Sequence, residues 1–361
     1  MTTNDIEQHK ALAESIKFQK IIIPVLIGIG VVVFLIWKTF DLEAFKSLSW
    51  NGKTALFFGL GLLLYVLRHI VLSFRLQEIS DGEFSFFKSI ELIFIWEFAS
   101  TISPTSFGGS AVAIFLLAQE KVGGAKSIAM VLYAVLLDTI FFLVSIPILY
   151  GILGKAVLRP IGDPKMDIYT GSLLVIFIFT LVYGTFMLLG ILKPRFIGGF
   201  ILWLSKRKWL QRFKSNMRDT AKDLAVASRE LRTQSIGFHI RMTLYTFAAW
   251  ILRFLVVVSV ISGVIQGLNL SLYDIFILFG RSEMMHVITQ FSPTPGGAGV
   301  AEGMFGGFFT DYISNSVGTV IALIWRLITY YPYLLLGLLV IPNWLRKVMR
   351  SKRSRTIATK K

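Results

Sequence analysis

Eight ionisable side chains lie within or beside long apolar stretches of this 361-residue sequence, where charges are rare. A charged side chain at the centre of a bilayer costs roughly 2.5 to 3.5 kcal/mol, so such residues face a protein interior or a water-filled cavity. Planar guanidinium groups suit phosphate recognition, whereas carboxyl and imidazole groups can carry protons or bind a cation. We predict that the eight line a polar cavity for binding and translocating a substrate: Arg68, Glu97, Asp138, Arg253, Glu283, His286, Glu302 and Arg326.

Structural ion pairs are the alternative explanation for several of these residues. Arg68 could neutralise Glu97 or Asp138, and Arg326 could neutralise Glu302. Such pairs would hold the helices together, because breaking a buried pair strongly destabilises a protein. Three arginines are more than this pairing requires, which favours a binding cavity.

Chemistry of an enzymatic kind is not indicated. The chain has no cysteine, which excludes thiol nucleophiles and cysteine-ligated metal sites. Its four histidines show no HExxH spacing, and neither GxGxxG nor the P-loop pattern occurs. We therefore predict no catalytic residue, no metal and no cofactor, and we do not expect an enzyme.

Membrane spans are the elements that must position the cavity residues. Apolar residues make up 55% of the chain and charged residues only 16%, whereas soluble domains carry about 25% charged residues. The mean hydropathy of +0.69 fits this composition, which excludes a disordered chain and a disulfide-stapled secreted scaffold. Six apolar runs are long enough to cross about 30 Å of hydrocarbon: 21–37, 54–73, 127–150, 168–191, 240–264 and 316–341. We predict an all-α polytopic membrane protein with six full spans.

Two further apolar stretches, 89–117 and 272–309, are interrupted near their middles by proline and glycine. The interruptions read SPTSFGG at 103–109 and SPTPGGAG at 292–299. Irregular backbone at membrane depth is tolerated only where protein or a water-filled cavity satisfies its N–H and C=O groups. We predict two helical hairpins that re-enter the membrane. The alternative is that each stretch forms two full spans joined by a tight turn.

The glycines of the interruptions could present backbone amides to an anion at the start of each second half-helix. Close helix packing is the alternative use of such small residues. The motif residues are Pro104, Gly108 and Gly109 in the first interruption, and Pro293, Pro295, Gly296, Gly297 and Gly299 in the second.

The two interruptions align with one another, which indicates an internal repeat. At offsets of 185 to 189 residues, Arg68 falls on Arg253, Glu97 on His286 and Asp138 on Arg326. Each half, about 54–150 and about 240–341, is then a span, a broken hairpin and a span, and the halves run in opposite directions. Two inverted units with broken helices near the midplane are typical of alternating-access transporters. A chance alignment of Pro and Gly turns is the alternative.

The basic residues are concentrated in two segments, although the net charge of +16 alone could suggest a nucleic-acid partner. The linker 193–236 holds eleven Lys or Arg against three acids, and the last twenty residues hold eight and no acid. Basic segments beside apolar spans are typical of cytoplasmic loops. We therefore place the linker, the tail 346–361 and the N-terminal segment 1–20 in the cytoplasm, and expect no nucleic acid. Residues 196–213 are predicted to form an amphipathic helix along the membrane surface.

The second interruption, within SPTPGGAGVAEGMFGGFF, resembles the Pro-Thr-Pro-Gly-Gly-x-Gly-x-x-Glu signature of the lysylphosphatidylglycerol synthase transmembrane-region family. The first, within SPTSFGGSAVAIFLLAQEKVGG, resembles that family's companion Pro-x-x-x-Gly-Gly segment ahead of a Leu-rich half-helix. The resemblance runs from about residue 20 to about residue 345 and implicates the same prolines and glycines, with Glu302. Many relatives carry a polar or charged residue after the first Gly pair, where this chain has Ser110 and three small apolar residues. The identity of the headgroup therefore stays open.

The resemblance implies a function. Family members joined to a soluble aminoacyltransferase domain make and translocate aminoacylated phosphatidylglycerol, and stand-alone relatives are linked to polyprenyl-phosphate sugar pathways. The sequence ends some twenty residues after its last predicted span, so we expect the flippase-like module of the multiple peptide resistance factor type alone. It would be a bacterial inner-membrane lipid translocase, with both termini in the cytoplasm, that moves an anionic or aminoacylated phospholipid or a polyprenyl-phosphate lipid between leaflets. A separate lipid synthase and a second copy of the chain are candidate partners.

Other functions remain open at this stage. A gradient-coupled transporter of a small solute would use the same architecture, with a sealed aqueous vestibule instead of a lateral opening between spans. A membrane-embedded lipid-phosphate transferase would need a catalytic base and usually an acidic metal-binding cluster at one interface. A scaffold that transports nothing is the fourth reading.

Overall fold

A computed structural model of the protein describes most of the chain between residues 42 and 358. The described residues are 42–48, 50–103, 106–120, 122, 124–193, 228, 229, 231–265, 269–292, 294–297 and 299–358, with the single positions 30, 34, 37, 199, 203 and 206. The predicted segment 1–20 lies outside them. Most of the predicted first span and most of the basic linker, including its amphipathic helix, lie outside them as well.

Helices make up the regular structure of the described residues. In chain order they are α1 (Leu42–Ser47), α2 (Gly52–Ile79), α3 (Phe86–Ile102), α4 (Ser106–Gln119), α5 (Gly124–Leu153), α6 (Met166–Leu192), α7 (Ile236–Val264), α8 (Leu272–Thr289), α9 (Val300–Phe308), α10 (Asn315–Thr329) and α11 (Tyr331–Ala358). Short 3-10 helices follow α5 at Gly154–Val157 and precede α9 at Pro295–Gly297.

Polar side chains mark where several helices begin. The Asn51 side chain accepts a hydrogen bond from the Thr54 amide at 3.1 Å, at the start of α2. Ser85, Ser235 and Ser271 cap α3, α7 and α8 in the same way. Such caps satisfy amides that have no partner within the helix, so they define the ends of the long apolar segments.

Five stretches of the described chain are long and apolar enough to cross a membrane: Gly52–Ile79, Lys126–Val157, Met166–Leu192, Ile236–Val264 and Val317–Val348. They correspond to five of the six predicted spans, and the prediction of an all-helical membrane protein is confirmed. The last one differs in detail, because the helix is divided at Tyr330 between α10 and α11. Pro332 supplies the physical reason, since its ring nitrogen cannot donate to the carbonyl of Ile328 four residues earlier and its ring crowds that carbonyl. Helix α11 also continues through most of the predicted tail.

Both interrupted stretches form a helix, a break and a second helix. In the first stretch α4 already begins at Ser106, so Gly108 and Gly109 lie inside a helix and the interruption is shorter than predicted. The second stretch has a longer break, and α9 has only nine residues. Pro104 and Pro293 lie outside the described residues.

Helices α2 and α7 pack antiparallel along most of their length. At one end the Thr54 hydroxyl donates to Gly263 O at 2.8 Å. At the other end Arg241 Nε donates to Glu78 Oε1 at 2.5 Å. Gly263 permits this approach, since a Cβ there would lie 2.8 Å from Phe57. These two helices form the centre of the bundle, and α3, α5, α8 and α10 pack around them.

Helix α6 contacts the bundle through far fewer buried residues than α2 or α7 does. It packs on α5, and only Gly184, Gly190 and Ile191 of its residues are buried. Gly184 lies against the side chain of Thr139, where a Cβ would be 2.9 Å away. Most of α6 therefore presents an apolar surface to the surroundings of the protein, as a lipid-facing helix does.

Candidate functional site

A cavity of about 370 Å³ lies where α2, α3, α5, α7, α8 and α10 meet beside the two interruptions. It is lined by six of the eight predicted ionisable residues and by two of the motif glycines: Arg68, Glu97, Asp138, Arg253, His286, Arg326, Gly296 and Gly297. Glu283 and Glu302 do not line it. Residues from both halves of the sequence thus meet at one polar site.

Arg68 and Glu97 form a buried ion pair in the cavity wall. Arg68 Nη2 lies 2.8 Å from Glu97 Oε1, and Arg68 is only 5% exposed. Its Nη1 donates to the Tyr333 hydroxyl at 3.4 Å, and its guanidinium lies 5.5 Å from the centre of the Tyr65 ring. A guanidinium neutralised by a carboxylate and held between phenol rings is fixed in position, so Arg68 has a structural role in the wall.

Asp138 pairs with Arg75, a residue outside the predicted set. Arg75 Nη1 lies 2.7 Å from Asp138 Oδ1 and donates to the Thr246 hydroxyl at 3.0 Å. The Trp250 indole also donates to Asp138, at 3.1 Å. Arg75 lies seven residues after Arg68, which places both arginines on one face of α2. This spacing could have identified Arg75 from the sequence. Arg75 was missed because it lies just beyond the end of the predicted apolar run 54–73.

Arg326 holds the second interruption together. Its Nε lies 2.9 Å from Glu302 Oε1, its Nη1 donates to Gly296 O at 2.9 Å, and its Nη2 donates to Gly297 O at 3.2 Å. Glu302 in turn accepts from the Gly299 amide at 2.7 Å. The guanidinium therefore satisfies carbonyls that a broken helix leaves free.

The glycine amides of this interruption bond within the protein instead of forming an open anion cradle. Gly296 N donates to Ser103 O at 3.4 Å, and Gly297 N donates to Thr294 O at 3.0 Å. Gly296 has φ of 56°, and a Cβ there would lie 2.2 Å from the Tyr330 ring. The first interruption shows close packing, because a Cβ on Gly109 would lie 2.9 Å from Ser100 Cα. The contacts at Gly109 and Gly296 are those of the packing alternative.

The two interruptions touch. Besides the bond from Gly296 N to Ser103 O, the Tyr330 hydroxyl donates to Thr101 O at 3.1 Å. Tyr330 stands at the division between α10 and α11, so this residue links the end of α3 to the second interruption. Residues of both interruptions line the cavity.

Arg253 differs from the other cavity arginines. It forms no ion pair with any residue that the structure describes, and its guanidinium lies 5.6 Å from the centre of the Trp250 ring. Four arginines (68, 75, 253 and 326) line the cavity, and three of them pair with carboxylates: 97, 138 and 302, the last of which lies outside the lining. Among the described residues, Arg253 is the lining arginine without an ion-pair partner.

The last two predicted residues, His286 and Glu283, both lie on helix α8, and of these two only His286 lines the cavity. His286 Nε2 lies 2.6 Å from Gln290 Nε2, and the imidazole packs 5.1 Å from the Trp250 ring. Glu283, one turn earlier on α8, is buried against Ser145 of α5. Within the described ranges, no group of three or more histidine and acidic residues is placed to hold a metal ion.

Arg281 is a buried arginine away from the cavity. It is 1% exposed, its Nη atoms reach Asp311 at 2.8 and 2.9 Å, and its Nε donates to Ala156 O at 2.9 Å. It therefore joins the short helix after α5 to the end of the second hairpin, and its role is structural.

One side of the cavity reaches the outer surface of the bundle. Phe179, Thr180 and Tyr183 of α6 belong to the lining, together with Phe291 beside the second interruption. Phe179 is 47% exposed and Phe291 is 55% exposed, and their rings meet edge to face with centres 5.7 Å apart. The rim here is aromatic and the interior is charged.

Helices that enclose a cationic cavity, with one rim on the apolar outer surface, define a polytopic membrane protein with an internal polar site. The chain belongs to the lysylphosphatidylglycerol synthase transmembrane-region family. The family model described as "Lysylphosphatidylglycerol synthase TM region" matches residues 21–337, which confirms the resemblance seen in the motifs.

A similar curated protein is a UPF0104 membrane protein of Archaeoglobus fulgidus. It is 25% identical over 261 residues, which cover 70% of this chain and 75% of that protein. No solved structure matches the chain.

Proposed function

We propose that this protein moves the anionic, phosphate-bearing headgroup of a membrane lipid between the two leaflets of a bacterial inner membrane. The observation that carries the proposal is Arg253, a cation with no counter-ion among the described residues, in a cavity whose rim lies on the apolar outer surface. A guanidinium in a site of low dielectric constant binds a phosphate oxygen strongly, because both groups are charged.

The rim favours a lipid over a water-soluble solute. Phe179 and Phe291 lie where the charged interior meets the lipid-facing surface. A headgroup can enter between them while its acyl chains stay in the bilayer, so the chains need not cross the protein. A soluble solute would instead need an aqueous vestibule, and an aromatic rim beside lipid offers none.

The architecture of the proposal is an inverted repeat with two re-entrant hairpins and six spans. At the offset of 185 residues, Gly52–Ile79 maps onto 237–264, which reproduces α7 to within one residue. The two helices are antiparallel, as inverted units require. The matched residues Arg68, Arg253, Glu97 and His286 all line the cavity. Exposure of such a site to alternate sides by movement of one unit against the other is the usual transport cycle of inverted repeats.

The proposal also specifies the membrane topology of the chain and the source of its lipid substrate. The concentration of basic residues in the linker and the tail supports a topology with both termini in the cytoplasm. The lipid is then made by a separate synthase, and this chain supplies the translocation step. Phosphatidylglycerol, its aminoacylated form and polyprenyl-phosphate lipids share the phosphate that Arg253 would bind.

Accessibility of labelled lipids in proteoliposomes tests the proposal. Headgroup-labelled lipid of each of the three classes is placed in vesicles with the wild-type protein, with Arg253→Gln, or without protein. We expect faster inter-leaflet exchange of one class by the wild type. We expect a rate about ten- to a hundredfold lower for Arg253→Gln, because a hydrogen bond to a charged group contributes about 1.5 to 3 kcal/mol.

Arg241→Gln is the matched control. Arg241 lies on the same helix α7, but at its exposed end, where it pairs with Glu78. This variant should exchange lipid like the wild type. If no class of lipid moves faster than in empty vesicles, or if Arg253→Gln matches the wild type, the proposal is wrong.

A further inference from the structure

Glu283 is a fully buried acid that lies outside the cavity lining. It is on α8, one helical turn before His286, and 0% of its surface is exposed. Its Oε1 lies 2.5 Å from Ser145 Oγ on α5, and its Oε2 has no hydrogen-bond partner among the described residues. One neutral hydroxyl is a weak partner for a buried ionised carboxylate, whose desolvation is very costly.

The two short contacts of Ser145 favour a protonated Glu283. Ser145 Oγ lies 2.7 Å from Phe141 O and 2.5 Å from Glu283 Oε1. A serine hydroxyl donates one proton, and a backbone carbonyl only accepts. An ionised Glu283 would leave two acceptors competing for that proton. If Glu283 is protonated, it donates to Ser145 and Ser145 donates to Phe141 O, so both short contacts are satisfied.

Among the described residues, the surrounding charged groups do not offer Glu283 a counter-ion. Helix α8 packs against α5, α7, α9 and the 3-10 helix after α5. The charged groups on these elements and on α8 are engaged elsewhere or face the cavity: Lys126 with Asp81 and Glu83, Asp138 with Arg75, Glu302 with Arg326, Lys155 with Asp167, Arg281 with Asp311, Arg241 with Glu78, Asp274 with Tyr312, His239 with Tyr133, His286 with Gln290, and Arg253 at the cavity. A neutral, protonated Glu283 is the form that this environment accommodates.

We propose that Glu283 is the proton-binding site that couples lipid translocation to proton movement across the membrane. This inference rests on the proposed function and names its energy source. In the described conformation the proton is bound to Glu283 and is shared with Ser145. This hydrogen bond connects α8 to α5. One proton is carried in each transport cycle.

Loss of the proton would disturb the contact between the two helices. An ionised Glu283 requires water or a cation, and neither fits a fully buried site that is closed by Ser145. Release of the proton to water therefore requires α5 and α8 to separate. Both helices line the cavity, through Asp138 and His286, so the same separation changes access to the headgroup site.

Infrared difference spectroscopy tests the protonation directly. The purified wild-type protein at neutral pH should show a carboxylic acid C=O band that Glu283→Gln lacks. The glutamine is neutral and of equal size, so the variant should fold. Ser145→Ala provides a second test, because loss of the hydroxyl should shift the band without removing it. Absence of the band from the wild type, or a band unchanged in both variants, overturns the inference.

Transport under a pH difference tests the coupling. For one proton per cycle, a difference of one pH unit should change the steady-state ratio of labelled lipid between leaflets by up to about tenfold in the wild type. In Glu283→Gln the ratio should not respond to pH. If the wild type moves lipid but the ratio of labelled lipid between leaflets does not change with the pH difference, the proposed proton coupling is wrong and the lipid function stands. If the wild type moves no lipid with or without the gradient, the proposed function itself is wrong.

Discussion

In the proposed repeat, Arg68 and Arg253 occupy matching positions at an offset of 185 residues, but their surroundings differ. Arg68 is buried and paired with Glu97 at 2.8 Å. Arg253 has no carboxylate partner among the described residues, because the position that matches Glu97 is His286. One half of the site therefore has a neutralised arginine, and the other half has an arginine with its charge free.

The difference separates two uses of the same residue type. A paired and buried guanidinium stabilises the fold, and its removal leaves an acid without a partner. A guanidinium that faces a cavity contributes little to the fold and keeps its binding capacity for a ligand. In the proposed repeat, the exchange of an acid for a histidine in one of the two units would turn a structural position into a binding position.

The largest expected effect is on the paired arginine. Arg68→Met should lower the free energy of unfolding by about 3 kcal/mol, because Glu97, whose side chain is only 17% exposed, is left without its partner. Thermal unfolding in detergent measures the change. The double variant Arg68→Met with Glu97→Gln should recover part of the loss. A single variant as stable as the wild type would contradict the structural role of the pair.

The next effect converts the free arginine into a paired one. His286→Glu should give Arg253 the carboxylate that Arg68 already has, so the affinity for anionic lipid should fall about ten- to a hundredfold. Lipid binding is measured in detergent, with the unfolding temperature as a check on the fold. His286→Gln, which adds no charge, should bind lipid far better than His286→Glu. Equal affinities of the two variants would show that Arg253 does not bind the headgroup.

The smallest expected effect concerns the interruption that Arg326 holds. Gly296→Ala should cost about 2 kcal/mol of stability, because a non-glycine residue is strained at a φ of 56° and the Tyr330 ring must move. Gly303→Ala, in α9, is the control. A Cβ there meets nothing within 4 Å, and alanine favours a helix. Equal losses in the two variants would show that the geometry of the interruption is not what requires glycine.

Much of the fold was predictable because hydropathy and charge report directly on membrane spans. The positions of the long helices and the two interruptions follow from apolar runs and Pro–Gly clusters. The division at Tyr330 also had a signal, Pro332, which an uninterrupted apolar run concealed. The pairing of Arg326 with Glu302 was predictable as an alternative, because both residues lie in apolar sequence.

Other features of the site depend on tertiary contacts that sequence spacing does not encode. The ion pair between Asp138 and Arg75 forms only because α2 and α5 pack in a particular register. Ser145 is one of many serines, and its contact with Glu283 becomes informative only when α5 and α8 are packed. The internal use of the glycine amides likewise depends on Ser103 and Thr294, which sequence reasoning did not connect with them.

The contact between the two interruptions, from Gly296 N to Ser103 O and from Tyr330 to Thr101 O, has a mechanical consequence. A hydrogen-bonded point shared by two rigid bodies near the centre of a bundle acts as a fulcrum. When one body tilts about it, a gap that widens on one side of the membrane narrows on the other, without further machinery. These two hydrogen bonds, at 3.4 and 3.1 Å, would then keep the proposed headgroup site from opening to both sides at once.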